Sequence, residues 1–572
     1  MPEFDTIIRG GTLIDGTRMP RFRADIGIKD GRIACIGQLS EHQAGQVIDA
    51  GGLLVVPGFI DLHTHYDAPL FWDPYCSISS WHGVTSVVIG NCGFGFAPCH
   101  PKDRDRSMLT MTRNEAIPYA CMKAGMPWDW ETFPQFLDAV DRRPKGINLL
   151  PYVPLSPLIT YVMGLEAAKT RKPTDTETGQ MCRLLDEAMD AGGCGWSAQR
   201  LHPSGGNCVQ RDFDGTPMVT DLMHNETALA LARVLRRRNQ GFIQTVLSTA
   251  DPMADLRHLE ELAEVSGRPI IYNALRSTDS RPEGHRYIIK WLENCHARGL
   301  RIYPQAITTD AGLTFDLSED LNIFDDSEPW CEAMLGNVED KLHKLGDPAR
   351  RPALRENVPH VATDFWDIII SDVKLPEHKS LEGLTLAAAG TKLGKHYIDA
   401  MLDLAVAERL RTEFFARAHN TRLDLQIEVA NYPYAIPGLS DGGAHTKYLT
   451  GGIYSTEYII KYVRENGAMT LEDAHWKLSA LPAYCAGFAD RGVLREGCAA
   501  DIVIYDYDAL KILPQEIAHD MPAGEWRRVQ RAQGYRYILV NGAVEFVDGK
   551  PTGALAGRLL RHGTAAQVRH AA

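Results

Sequence analysis

Short apolar runs recur through the middle of the chain, bounded by glycine, proline or charge, and stretches of helical periodicity separate them. The runs at Leu54–Leu62, Val84–Gly90, Asn148–Val153, Gly193–Ala198, Gly241–Val246, Pro269–Leu275, Leu300–Pro304 and Tyr434–Ser440 predict strands. Intervening segments such as Glu226–Arg237 and Met253–Glu264 carry their apolar residues at helical spacing. Strands alternating with helices argue for βα units around a parallel sheet. Eight of them fit a (β/α)8 barrel, whose active site lies at the strand C-terminal ends.

The two ends of the chain are patterned differently. Near the start, Ile7-Ile8-Arg9, Thr12-Leu13-Ile14, Ile26-Gly27-Ile28 and Ile33-Ala34-Cys35-Ile36 are short strands, broken at Gly10-Gly11, Asp15-Gly16 and Asp30-Gly31. Asp-Gly between alternating segments is a hairpin signal. The same style returns at Ala500–Tyr505, Tyr537–Gly542 and Val544–Val547, followed by Asp548-Gly549. The expected organisation is an α/β TIM barrel over 57–484 and a small β-sandwich domain built from 1–56 and 485–560. A long insertion at 308–432, before the last barrel strand, carries helical stretches such as Pro329–Leu345 and Ile398–Leu410 and is expected to shape or cover the site. A shorter insertion, His100–Lys145, contains Trp128 and Trp130, and the tail after Leu560 is expected to fray.

The length of 572 residues gives a prior of about four domains, which overcounts because α/β barrels run long as single units. With 44% hydrophobic and 23% charged residues, a large core is available and wholesale disorder is excluded. A net charge of −13 argues against nucleic acid as the main partner. No signal-peptide pattern opens the sequence and no apolar run reaches membrane length, so no membrane association is expected. The twelve cysteines lack paired C-x-x-C spacing and suit a reducing compartment, so the expected location is cytoplasmic.

The chemistry concentrates in His63-Thr64-His65-Tyr66-Asp67, at the end of the apolar run Leu53–Leu62. Residues i and i+2 of a strand share a face, so two imidazoles can grip one metal ion. A catalytic zinc needs about three protein ligands and an open position. An isolated His-x-His is weak evidence, but its surroundings add to it. Pro57-Gly58-Phe59-Ile60-Asp61-Leu62-His63-Thr64-His65 resembles the first barrel strand of the amidohydrolase superfamily. Gly83–Gly93, with Asn91-Cys92-Gly93 at its end, resembles the second strand of the N-acyl-D-amino-acid deacylase (D-aminoacylase) family. Ser440-Asp441-Gly442 is similar to that family's last-strand aspartate, and Arg491–Ile504 to its C-terminal return strand.

That resemblance implies a metal-dependent hydrolase of a C–N amide bond. It implies a metal-activated water as nucleophile, Asp441 as ligand and general base, and His63, His65 and Cys92 as further ligands. A thiolate ligand suits zinc. The chain departs from the family on strands five and six, which carry histidine ligands there. Val246 stands in the first of those positions and Asn273 or its neighbour in the second, and neither segment contains histidine. One zinc per chain is therefore expected and a binuclear site is doubtful; His202 and His224 lie outside those strands. The family binds its substrate carboxylate with an arginine after the last aspartate, where this chain offers Lys447, with Arg200 and Arg276 as rivals. Asn273 and His445 are further candidates for substrate contact, and Phe71, Trp72, Tyr75, Phe94, Phe96, Trp196 and Tyr448 flank the motifs as core or pocket wall. The expected partner is a small molecule, an anionic N-acyl compound, and the resemblance implies a homo-oligomer. The alternatives are the same barrel and single metal used for ester, lactam or C–C cleavage, or a catalytically silent scaffold.

Overall fold

The computed structural model describes residues 2–39, 42–201, 211–249, 251–309, 312–319, 322–359, 364–418 and 420–562. Its centre is a ring of eight parallel barrel strands. The first is Phe59–Asp61 and the second Val84–Ile89; the third runs through Asn148–Pro151 and Val153–Pro154. The fourth to eighth are Gly195–Leu201, Phe242–Ser248, Ile270–Leu275, Ile302–Ile307 and Ile436–Gly438. The third strand changes partner at Tyr152: its first half pairs with strand two and its second with strand four. Strands one and eight meet just beyond their ends, where Thr64 bridges Gly442 and the His65 N–H donates to the Gly442 carbonyl at 2.7 Å. Ile60, Val88, Leu150, Tyr152, Phe242, Ile271, Tyr303 and Ile436, all from these strands or the turn within the third, close on one another as the barrel core. Fully burying such a side chain stabilises by about 1.5–3 kcal/mol.

The apolar run Leu54–Leu62 is two strands, not one. Leu54–Pro57 pairs antiparallel with Ile502–Tyr505 in the terminal sheet, whereas Phe59–Asp61 pairs with strand two of the barrel. Gly58 is the hand-over point. Its N–H donates to the Asp501 carbonyl at 2.8 Å, and a Cβ there would sit 2.1 Å from the Thr85 hydroxyl oxygen. Apolar periodicity runs straight through this position, so the division is invisible in the pattern.

Strands from both chain ends form one nine-stranded sheet. Phe4–Leu13 pairs with Ala44–Asp49 through its first half and with Leu54–Pro57 through its second, so the sheet forks there. Ile8, Ile26, Ile48, Val55, Ile502 and Leu539 form its core. The chain then returns to the barrel: Leu559 bridges Leu149 of strand three, and the Leu560 N–H donates to the Leu149 carbonyl. The tail beyond 562 lies outside the described residues.

The segment between strands seven and eight holds more than helices. Leu313–Phe315, Glu413–Ala416 and Ile369–Asp372 make an antiparallel three-stranded sheet beside the helices Val338–Gly346, Leu386–Leu393 and Tyr397–Ala407. Its core is built around Phe315, Phe324, Trp330, Leu402 and Phe414, and it takes in Ala116 and Tyr448 from the barrel loops. The insertion therefore packs directly on the segments that flank Glu115 and His445.

Candidate active site

The loop after strand one is fixed before any ligand is considered. The Asp61 carboxylate accepts from the His63 N–H at 3.0 Å through one oxygen and from the Ser440 hydroxyl through the other. Ser440 Oγ in turn accepts from the Gly442 N–H at 3.0 Å. This latch ties the His63/His65 turn to the loop carrying Asp441. Burial pushes the Asp61 carboxyl up to about 7.

Cys92 comes from the end of strand two. Its φ is +58°, a left-handed conformation that side chains other than glycine rarely adopt. The strain is held by neighbours. The Cys92 N–H donates to Gln244 Oε1 at 2.8 Å, the Gly93 N–H to Ser197 Oγ at 3.0 Å, and the Gly90 N–H to Asp67 at 3.1 Å. Asp441, at φ +49°, and His445, at φ +51°, are left-handed too. Over-determined local strain of this kind concentrates at functional sites.

These loops bring His63, His65 and Cys92 together, their ligand atoms all within 4.8 Å of one another. His63 Nε2 lies 3.3 Å from Cys92 Sγ and 3.2 Å from Asp441 Oδ1, and His65 Nε2 lies 3.8 Å from the same oxygen. Ligands at zinc bond lengths of about 2.0–2.3 Å in a tetrahedron are separated by about 3.3–3.8 Å, which these spacings match. The electrostatics fit as well. Burial holds the His63 imidazole near 4 and His65 well below its ordinary value, so both are neutral, as ligands must be. His65 Nδ1 is buried with no hydrogen-bond partner. Burial and then the Asp61 charge raise Asp441 to about 7, and burial raises the Cys92 thiol; a bound cation would offset both. The His63, His65 and Cys92 donors therefore fit one metal ion, with Asp441 beside the two imidazoles.

Two residues complete the cluster. Glu115, which the sequence reading did not single out, ends the helix Arg104–Glu115 and is buried with its Oε2 3.7 Å from His65 Nε2 and 3.2 Å from His445 Nε2. The His445 N–H also donates to the Glu115 carbonyl at 2.7 Å. Within the group of six only Asp441 and His445 keep appreciable side-chain exposure, 23% and 18%.

Strands five and six supply amides where histidines were sought. Gln244 Nε2 donates to Asn273 Oδ1 at 2.9 Å, and Asn273 Nδ2 to Gln305 Oε1 at 2.6 Å. His63 Nδ1 lies 3.0 Å from both Gln305 Oε1 and Asn273 Nδ2. For His63 Nε2 to offer a lone pair, Nδ1 must carry the proton and donate it to Gln305. Asn273 thus touches His63, and Gln244 and Gln305 join it at the site.

The cation candidates are scattered. Lys447 Nζ sits between Glu319, at 2.8 Å, and Glu525, at 2.9 Å, and lies over the Trp526 ring; two carboxylates already neutralise it. Arg200 donates to Asn225 Oδ1 and the Met223 carbonyl at 2.7 Å each. Arg276 is exposed just past the end of strand six. His202 lies outside the described residues, and half-buried His224 leads into the helix Asn225–Arg238, away from the metal-type cluster. Phe96, Trp128, Trp130 and Trp196 are buried in the main core, with the Trp128 and Trp130 rings stacked 5.6 Å apart, so they form packing; Phe94 approaches the His65 ring at 6.5 Å.

The amidohydrolase family pattern matches residues 46–352 and 377–546. The chain belongs to the amidohydrolase family. It is 35% identical to the N-acyl-D-aspartate deacylase of Alcaligenes xylosoxydans xylosoxydans, over 98% of this chain and 96% of the other. It is 28% identical to the D-aminoacylase of the same organism, over 97% of each chain. The structure of N-acyl-D-glutamate deacylase from Bordetella bronchiseptica, complexed with zinc and a phosphonate inhibitor, superposes with a TM-score of 0.65 at 24% identity, over 98% of this chain and 99% of that one. This amidohydrolase is a metal-dependent hydrolase acting on C–N bonds other than peptide bonds. No helix among its described residues is long and apolar enough to cross a membrane.

Proposed function

We propose that the protein removes the acyl group from an N-acyl amino acid, using one zinc held by His63, His65, Cys92 and Asp441. The observation that carries this reading is the convergence of the His63, His65 and Cys92 donors within 4.8 Å of one another, with Asp441 Oδ1 3.2 Å from His63 and 3.8 Å from His65. The names of the similar deacylases support the substrate class. Zinc bound there would supply a water of lowered pKa and polarise the amide carbonyl.

Asp441 is the base. It is the ligand-type carboxylate with an open side, placed to take a proton from water and pass it to the leaving nitrogen. Water adds across the C–N bond, giving a carboxylate and an amine. His63 is held in its ligand tautomer by Gln305, and the Asp61–Ser440 latch keeps Asp441 against it. For an anionic substrate the cation is Arg276, exposed at the barrel mouth, where Lys447 is already ion-paired. We place the enzyme in the cytoplasm and take it to be a homo-oligomer.

The test is turnover of a panel of N-acyl-D- and N-acyl-L-amino acids by the zinc-loaded protein and by Asp441→Asn. The expected result is release of free amino acid from one stereochemical series, with a loss of about 10²–10⁴-fold in the variant. Equal turnover by the variant removes Asp441 as base, and no turnover on the whole panel removes the substrate class.

A further inference from the structure

We propose that Glu115 is an additional ligand of the metal centre, with His445 as the residue that positions it. The inference rests on the one-zinc reading above. His63 and His65 follow strand one, Cys92 follows strand two and Asp441 follows strand eight, so all the assigned donors come from one arc of the barrel. Across the ring, strands six and seven present the Asn273 and Gln305 amides, which are engaged with one another and with His63 Nδ1. Glu115 approaches His65 from outside the barrel strands, at the end of the helix Arg104–Glu115.

Three features make Glu115 a ligand in waiting. Its Oε2 stands 3.7 Å from His65 Nε2, close enough for both atoms to reach one zinc ion whose coordination expands beyond four. Its side chain is 3% exposed, and among the described residues the basic groups within ion-pair distance are only the imidazoles of His65 and His445. A buried carboxylate without a lysine or arginine partner is costly unless a cation is present. Finally, its place is fixed from several directions. The Asn114 side chain donates to the Arg211 carbonyl at 3.1 Å, Asn322 of the long insertion donates to the Asn114 carbonyl at 3.1 Å, Arg113 pairs with Asp325, and Ala116 belongs to the insertion core. The insertion between strands seven and eight thus holds the helix end that presents Glu115.

The experiment measures zinc affinity of the full-length protein by competition with a chromophoric chelator, in wild type, Glu115→Gln and Cys92→Ala. Cobalt(II) absorption is recorded alongside. Glu115→Gln is expected to bind zinc at least 10-fold more weakly, to keep the thiolate-to-cobalt band of Cys92, and to change the cobalt d–d bands. Wild-type affinity with unchanged d–d bands in Glu115→Gln overturns the proposal. Retention of full affinity in Cys92→Ala would instead contradict the underlying metal site, so the two failures are distinct. Should Glu115→Gln not fold, wild-type protein labelled with ¹³C-carboxyl glutamate decides the matter. Adding zinc to the labelled apoprotein is expected to shift one glutamate carboxylate stretch in the infrared difference spectrum, and its absence overturns the proposal, because the other carboxylate ligand is an aspartate.

Discussion

Replacing Gln305 by leucine tests how the barrel orients His63 as a proposed metal ligand. Gln305 Oε1 accepts from two donors, His63 Nδ1 at 3.0 Å and Asn273 Nδ2 at 2.6 Å, both buried. Leucine offers no acceptor. The His63 ring then loses the bond that keeps its proton on Nδ1 and its lone pair on Nε2. Asn273 Nδ2 is left facing His63 Nδ1 at 3.0 Å, a contact that forms a hydrogen bond only if the imidazole proton moves to Nε2, the atom that must bind metal. Each stranded donor costs about 1–3 kcal/mol. Partners of metal-bound histidines are worth about 10–100-fold in affinity, or about 1.4–2.7 kcal/mol. Gln305→Leu is therefore expected to weaken zinc binding by about 10–100-fold, read by chelator competition. Gln305→Glu retains the acceptor and should bind at least as tightly as wild type. Equal affinity for Gln305→Leu and wild type would refute the argument that this amide sets the tautomer of His63.

Two further outcomes follow from the fold. Burial lifts the Glu545 carboxyl from 4.5 to about 8, opposed by the Ala556 N–H at 2.7 Å. Between those pH values the folded chain keeps a proton that the unfolded chain has released. That raised pKa makes stability fall with rising pH across the window, at up to about 1.4 kcal/mol per unit. Glu545→Gln should flatten the dependence of Tm on pH between 5 and 8; a parallel dependence in variant and wild type would exclude Glu545 as its source. Gly58→Ala drives a methyl into Thr85 at the hand-over between terminal sheet and barrel and should destabilise by about 1–3 kcal/mol in thermal melts, whereas Gly58→Ala with Thr85→Ala should recover part of the loss.

The barrel strands were legible because each is a short apolar run between turn residues, and the terminal sheet because Asp-Gly pairs punctuate it. Gly58 was missed since strand periodicity continues unbroken across it. His63, His65, Cys92 and Asp441, which the structure brings together, stand in local motifs at strand ends. Gln244 was not legible, because it shares strand parity with Val246; which of the two stands beside Asn273 and the Cys92 loop depends on the stagger of neighbouring strands, a property of the whole ring. Glu115 carries no local signal at all: it is one acid on a helix whose approach to His65 is set by an insertion that comes some two hundred residues later. Lys447 illustrates the converse. Its position after Asp441 suggested an anion clamp, but Glu319 and Glu525, distant in sequence, occupy it.

The central claim is that one metal ion is held by His63, His65, Cys92 and Asp441. Elemental analysis of zinc per chain, on wild type and on the His63→Ala/His65→Ala double variant, tests it most directly. The account predicts one zinc in the wild type and none in the variant. Zinc retained by the variant, or none in either protein, would contradict it.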